Sequence, residues 1–173
     1  MTATGKARGL KLMAFDVDGV LTDGKLYFTS AGDEMKAFST LDGHGLKMLR
    51  EAGVELAIIT GRSSEAVELR AQNLGIGTLL QGIEDKRAAM ADILAARGLD
   101  WSQAGYMGDD VVDLPLLRAC GFSATVGEGH DLVKRHVAYV AGKPAGAGAV
   151  REVCEMILDA QGRLKDLLAR YLA

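Results

Sequence analysis

Short, uninterrupted apolar runs recur at residues 12–15, 55–60, 78–81, 105–107, 123–126 and 138–141, with longer amphipathic segments between most of them. Runs of that length suit strands buried on both faces, which belong to parallel sheets covered by helices. The segments at 45–52, 65–74, 86–97, 114–119, 131–135 and 149–160 carry apolar residues at helical spacing. Gly53, Gly75 and Gly98 stand just past three of them, where a left-handed residue closes a helix. Pro115 suits the first turn of another. The alternation predicts an α/β fold, a doubly wound and mostly parallel sheet with right-handed crossovers. With 173 residues, 49% of them hydrophobic, one domain spanning 1–173 can bury a substantial core.

The charge balance excludes some functions. A net charge of −3 gives no basic stripe for nucleic acid. No apolar stretch reaches membrane-spanning length. Lys6, Arg8 and Lys11 precede an apolar run, but Asp16 and Asp18 interrupt it before it could serve as a signal-peptide core. Cys120 and Cys154 follow no metal-ligand spacing and read as reduced core residues. The expectation is a soluble cytoplasmic protein without nucleic-acid or membrane partners.

One segment breaks the alternation. Residues 25–29 and 34–38 are strand-like and flank a turn-rich 30–33, so an inserted β-hairpin is expected at about 24–39. Its Leu26, Phe28, Met35 and Phe38 cannot form a core alone, because an isolated hairpin is marginal in water. The parent domain or another subunit must cover it. At the other end, about 162–173, Leu164, Leu167, Leu168, Tyr171 and Leu172 recur at helical spacing as an amphipathic tail.

Polar clusters follow four of the predicted strands. Asp16 and Asp18 follow the first, with Gly19 beside them to turn the chain so that the two acids can take different jobs. Thr60, Gly61 and Arg62 end the second, Lys86 opens the helix after the third, and Asp109, Asp110 and Asp113 follow the fourth. Taken singly, each has an ordinary explanation: a turn, a solvated lysine, a helix cap. A calcium loop fails, because either frame puts Tyr27 or Lys25 where a bidentate glutamate belongs. Dinucleotide and P-loop glycine spacings are missing. Taken together, parallel strands carry all four clusters to the edge of the sheet where ligands bind. Five carboxylates there repel one another unless a cation intervenes. Oxygen ligands without histidine favour a hard ion such as Mg²⁺. A lysine, a hydroxyl and a glycine amide facing it would suit a phosphoryl group.

The set Asp16-Val17-Asp18-Gly19, Thr60, Lys86 and Gly108-Asp109-Asp110 with Asp113 resembles the motifs of the haloacid dehalogenase-like phosphohydrolase superfamily. With the hairpin, the stretches at 38–49, 54–62, 108–117 and 146–158 resemble its small-cap 3-deoxy-D-manno-octulosonate 8-phosphate phosphatase family, which acts in lipopolysaccharide biosynthesis. The resemblance implies a Rossmann-like core and an aspartyl-phosphate mechanism. Asp16 would be the nucleophile and Asp18 the general acid and base. Mg²⁺ would be held by Asp16, the Asp18 backbone carbonyl and Asp109. Thr60, the Gly61 amide and Lys86 would bind phosphate oxygens, and Arg62 the carboxylate of a sugar acid. Asp110 and Asp113 would orient waters and Lys86, with Asp42 and His44 as weaker contacts and a helix-capping role for Asp42 an equal alternative. It further implies a homotetramer whose pooled hairpins cover the sites and a mobile carboxyl-terminal tail, with Gly146 and Gly148 as its joint. Lys143-Pro144-Ala145 stands where an arginine-rich stretch is expected.

Three other readings compete. A phosphatase of a nine-carbon sugar acid 9-phosphate shares all these motifs. A receiver domain would carry its acidic pair after the first strand and its phosphoacceptor later, the reverse of the order here. A non-catalytic oligomerisation module would have no need of an intact Asp16 and Asp18.

Overall fold

The structure, a computed structural model, describes residues 2–172. Its main sheet has six parallel strands: β1 Leu12–Phe15, β4 Glu55–Ile59, β5 Thr78–Leu80, β6 Ala104–Met107, β7 Phe122–Thr125 and β8 Tyr139–Val140, in the order β5-β4-β1-β6-β7-β8. The chain runs outward from β1 through β4 to β5, then returns to the other side of β1 with β6. That reversal beside β1 opens a crevice at the carboxyl ends of the strands.

Two-residue periodicity puts alternate side chains on opposite faces of the sheet. Met13, Phe15, Leu56 and Ile58 join one apolar cluster, while Leu12, Ala14, Ala57 and Ile59 join the other. Helices α1 Ala3–Ala7, α2 Thr40–Glu51, α3 Glu65–Leu74 and α7 Ala149–Ala160 cover the first face. Helices α4 Lys86–Arg97, α5 Leu114–Leu117 and α6 Asp131–Lys134 cover the second. Cys120 and Cys154 are free and buried, as expected of core residues. Among the described residues, no helix is long and apolar enough to cross a membrane.

The expected helices and strands are present, with instructive differences. The short α1, capped by Thr2, has no counterpart in the apolar pattern. Helix α2 begins at Thr40 rather than 45, capped by Ser39, whose hydroxyl accepts the Asp42 N–H at 3.3 Å. Gly43 and Gly45 weaken its intrinsic propensity, but packing requires the second of them. A Cβ at Gly45 would lie 3.0 Å from the Arg151 Cα and 3.3 Å from the Cys154 Cβ of α7. Close backbone approach of α2 and α7 overrides propensity there.

The insert is a two-stranded antiparallel hairpin, β2 Tyr27–Phe28 and β3 Glu34–Met35. Its strands are shorter than the expected 25–29 and 34–38, and among the described residues no further strand extends the ladder. Phe28 and Met35 remain 60% and 57% exposed. The tail forms α8 Leu164–Ala169, with Leu164, Leu167 and Leu168 packed on the first cluster. Gly146 is a tight contact rather than a free joint. Its N–H donates to the Val20 carbonyl at 3.2 Å, and a Cβ would lie 2.7 Å from the backbone of Thr22 and Asp23.

Candidate active site

At the carboxyl edge of β1, β4 and β6 lies a cleft of about 550 Å³. Asp113 lies fully buried beneath it, and every other principal residue picked out from the sequence lines it. Asp42 and His44 lie elsewhere. The Asp42 carboxylate accepts the Gly148 and Arg151 N–H groups at 3.3 and 2.8 Å, capping α7 from across the helix pair. His44 meets the Tyr171 hydroxyl at 3.1 Å, tying the tail to α2.

Asp16 ends β1 with its two oxygens differently engaged. Oδ1 accepts the Val17 N–H at 2.7 Å and Oδ2 accepts from Lys86 Nζ at 2.6 Å. Lys86 opens α4 just after its cap, Asp85, whose carboxylate accepts the Ala88 N–H at 2.9 Å. Its ammonium also donates to Asp113 Oδ1 at 2.7 Å and to the Tyr106 hydroxyl at 3.2 Å. Burial lowers the pKa of this lysine, but Asp16 and Asp113 more than offset that and hold it above the usual value.

Asp113 is the hub beneath the floor. Its Oδ1 accepts from Lys86 and from the Tyr106 hydroxyl at 3.0 Å, and its Oδ2 accepts the Asp109 and Asp110 N–H groups at 3.0 and 3.2 Å. It therefore shapes the loop that presents Asp109. Gly108 makes room, since a Cβ there would lie 2.5 Å from the Asp113 carboxyl carbon. Tyr106 did not stand out in the sequence, where it is one apolar strand residue among others. The available signal was its hydroxyl, because a buried tyrosine needs a partner.

Carboxylate oxygens of Asp16, Asp109 and Asp113 lie within 4.8 Å of one another, with one lysine among them. Burial, then repulsion from Asp113, Asp16 and Asp110, lifts Asp109 to about 7. Burial and Asp113 likewise raise Asp16, with Lys86 pulling the other way. Such excess negative charge calls for a divalent cation, and oxygen-only donors suit a hard one. Asp113 belongs to this group by distance, but it is fully buried and each of its oxygens accepts from two donors, whereas Asp16 lines the cleft with one donor on each oxygen. Asp16 and Asp109 are the carboxylates left to face an ion. A Cβ at Gly19 would overlap the Asp109 carboxylate, so glycine allows that acid to close over the loop after β1.

Asp18 faces the hairpin. Its Oδ1 accepts from Lys36 Nζ at 2.5 Å, and its Oδ2 lies 3.7 Å from Arg62 Nε. Arg62 is also paired with Glu34 at 2.5 Å. Opposite, Thr60 is buried, with its backbone fixed by the Leu80 carbonyl and the Ile83 N–H at 3.0 Å each. Gly61 beside it is exposed, and a Cβ there would meet nothing closer than 3.7 Å. The arrangement presents a held carboxylate, a second acid two residues away, a hydroxyl, an open amide and a buried ammonium around one space.

Comparison with known proteins bears on this geometry. A family model described as haloacid dehalogenase-like hydrolase matches residues 81–153. The Escherichia coli K12 3-deoxy-D-manno-octulosonate 8-phosphate phosphatase KdsC is 41% identical over 161 residues, covering 93% of this chain and 86% of the relative. The crystal structure of the Moraxella catarrhalis 3-deoxy-D-manno-octulosonate 8-phosphate phosphatase, in complex with magnesium, phosphate and KDO, is 43% identical with a TM-score of 0.96. That match covers 98% of this chain and 97% of the other. The cobalt-bound Haemophilus influenzae phosphatase matches with a TM-score of 0.91 at 39% identity, over 97% of this chain and 99% of that one.

Proposed function

This chain belongs to the 3-deoxy-D-manno-octulosonate 8-phosphate phosphatase family of the haloacid dehalogenase-like hydrolases, and from that premise we propose that it hydrolyses 3-deoxy-D-manno-octulosonate 8-phosphate to KDO and phosphate in lipopolysaccharide biosynthesis. The observation that carries the reading is Asp16, held by Lys86 at 2.6 Å in a cleft that Asp18 and Asp109 share.

In this mechanism an Asp16 oxygen attacks phosphorus, and the bond from phosphorus to the sugar oxygen breaks, leaving an aspartyl-phosphate. Asp18 protonates the departing sugar oxygen, which would otherwise leave as a strongly basic alkoxide. Water then attacks the same phosphorus, Asp18 takes its proton, and Asp16 is released. Thr60, the Gly61 amide and Lys86 hold the non-bridging oxygens, where charge concentrates. Lys86 also keeps Asp16 oriented between the two steps. Asp113 sets the Lys86 ammonium and the Asp109 loop, and Asp110 holds the start of the following turn. Arg62 receives the carboxylate of the sugar acid, for which its fork suits bidentate pairing, in place of Glu34.

The donor set fits magnesium, with Asp16, Asp109 and the Asp18 backbone carbonyl to hold it. When bound, it supplies neutralisation of charge as carboxylate and phosphate dianion approach.

The hairpin supports a homotetramer, because Leu26, Tyr27, Phe28 and Met35 expose an apolar surface beside the cleft of each chain. Analytical ultracentrifugation should find four chains per particle, and an active monomer would refute the assembly. A cytoplasmic location is part of the same reading and is tested by cell fractionation.

Turnover is tested by phosphate release with Mg²⁺ from the eight-carbon and nine-carbon sugar acid phosphates, beside Asp16→Asn. The expected result is a larger specificity constant for the eight-carbon ester and loss of turnover in the variant. Preference for the nine-carbon ester would reassign the substrate. Unaltered hydrolysis by Asp16→Asn would reject the nucleophile.

A further inference from the structure

The hairpin exposes its apolar residues and buries a charge. Phe28 and Met35 are largely exposed, whereas the Lys36 side chain is 1% exposed. An ammonium withdrawn from water must be paired, and this one has two carboxylates, Asp18 Oδ1 at 2.5 Å and Glu34 Oε1 at 2.8 Å. Glu34 Oε2 lies 2.5 Å from Arg62 Nη2, and Arg62 Nε lies 3.7 Å from Asp18 Oδ2. Two acids and two bases thus alternate around a closed ring. The ring joins the loop after β1, the hairpin and the loop after β4.

It leaves the oxygens of Asp18 unequal. Oδ1 is occupied by the Lys36 ammonium. Oδ2 is buried and has no hydrogen-bond partner among the described residues, because Arg62 Nε stands beyond bonding distance. A buried carboxylate oxygen with free lone pairs costs stability, and a catalytic role is one reason such a group is retained.

We propose that Lys36 is a positioning residue for proton transfer: by pinning Oδ1 of Asp18 it assigns the moving proton to Oδ2, which is uncovered when Arg62 turns to the carboxylate of the sugar acid. This rests on the phosphatase reading above. In the first step the Oδ2 proton passes to the sugar oxygen, which keeps the electron pair of its broken bond to phosphorus, while Asp16 forms its own bond to phosphorus. In the second step the water oxygen bonds to phosphorus, its proton returns to Oδ2, and the Asp16–phosphorus electron pair returns to Asp16. The hairpin then contributes to the chemistry from within its own chain, apart from any covering role.

A hairpin latch without this role would slow all phosphate esters alike. The test exploits leaving-group basicity, since p-nitrophenolate departs without a proton and a sugar alkoxide does not. With full-length protein and saturating Mg²⁺, kcat/KM is measured for 3-deoxy-D-manno-octulosonate 8-phosphate and for p-nitrophenyl phosphate in wild type, Lys36→Met and Lys36→Arg. Lys36→Met should lose about 10- to 100-fold on the sugar ester and at most about threefold on the aryl ester. Lys36→Arg, which keeps a cationic donor, should recover part of the selective loss. Equal losses on both esters, or none on either, overturn the proposal. If Lys36→Met does not fold, Lys36→Gln, polar but uncharged, decides by the same comparison: a selective loss on the sugar ester supports the role, and an equal or absent loss refutes it. Wild type inert on the sugar ester would sink the phosphatase reading and the proposal with it, whereas an active wild type with an unselective variant sinks the proposal alone.

Discussion

Replacing Asp113 by asparagine tests whether the floor of the cleft is held by one buried carboxylate. Asp113 is 0% exposed and accepts from four donors, two on each oxygen. Asparagine keeps one acceptor oxygen and turns the other into a donor. If the amide nitrogen replaces Oδ2, it faces the Asp109 and Asp110 N–H groups and both bonds are lost. If it replaces Oδ1, it faces the Lys86 ammonium and leaves that cation with Asp16 as its remaining carboxylate. Either way two bonds to a charged acceptor are disrupted, at about 1.5–3 kcal/mol each. Relief of repulsion toward Asp16 and Asp109 works in the opposite direction, so a net loss of about 3–5 kcal/mol is expected, in the range for a broken buried pair. At roughly 2–4 °C per kcal/mol for a domain of this size, the melting midpoint falls by about 6–20 °C. Urea and thermal unfolding in excess EDTA would measure this without contributions from bound metal. Asp110→Asn is the control, because its exposed carboxylate caps Val111 and asparagine caps about as well. A loss below about 1 kcal/mol for Asp113→Asn, or one matched by Asp110→Asn, would refute the reasoning.

Other consequences are open to measurement. Gly45→Ala gains about 1 kcal/mol of helix propensity but forces a methyl against the Arg151 backbone at 3.0 Å. Overpacking of about 1–3 kcal/mol should therefore win, and a higher urea midpoint would contradict the close-approach account of α2 and α7. Without metal, Asp109 in the native state keeps its proton to about pH 7, while the unfolded carboxyl loses it near 3.8. The native state then holds more protons across that window, so this group's contribution makes stability fall as pH rises from about 4 to 7. Because a cation needs the deprotonated carboxylate, the Mg²⁺-induced rise in Tm should be larger at pH 8 than at pH 5.5, and equal rises would count against Asp109 as a ligand. Phe28→Ser combined with Met35→Ser should shift the sedimentation profile to smaller particles without loss of helical circular dichroism. An unchanged profile would remove the hairpin from the interface.

Much of the site was legible because parallel strands do the assembling. Asp16, Thr60 and Asp109 each stand at or just past a strand's carboxyl end, so naming the strands brought them together. The sheet itself was legible because strands buried on both faces must be apolar throughout. Helix α2 was harder to delimit, since its first turns contain Gly43 and Gly45 and the reason for Gly45 lies more than a hundred residues away on α7. The same distance hides which helix Asp42 caps, since its partners Gly148 and Arg151 are 106 and 109 residues on. Tyr106 and Lys36 gave no local sign, one lying within an apolar strand and the other within a hairpin that reads as surface.

What the order of residues decided on its own was the layout: which segments enter the sheet, which edge collects the acids, and that a hairpin interrupts the alternation. Such features follow from local periodicity and from the fixed direction of parallel strands. Only the tertiary structure decided how the charges pair, with Lys86 between Asp16 and Asp113 and with Lys36 between Asp18 and Glu34. Pairing energies depend on separations of a few ångströms and on exclusion of water, and both arise only when the loops, the hairpin and the helix starts come together in space.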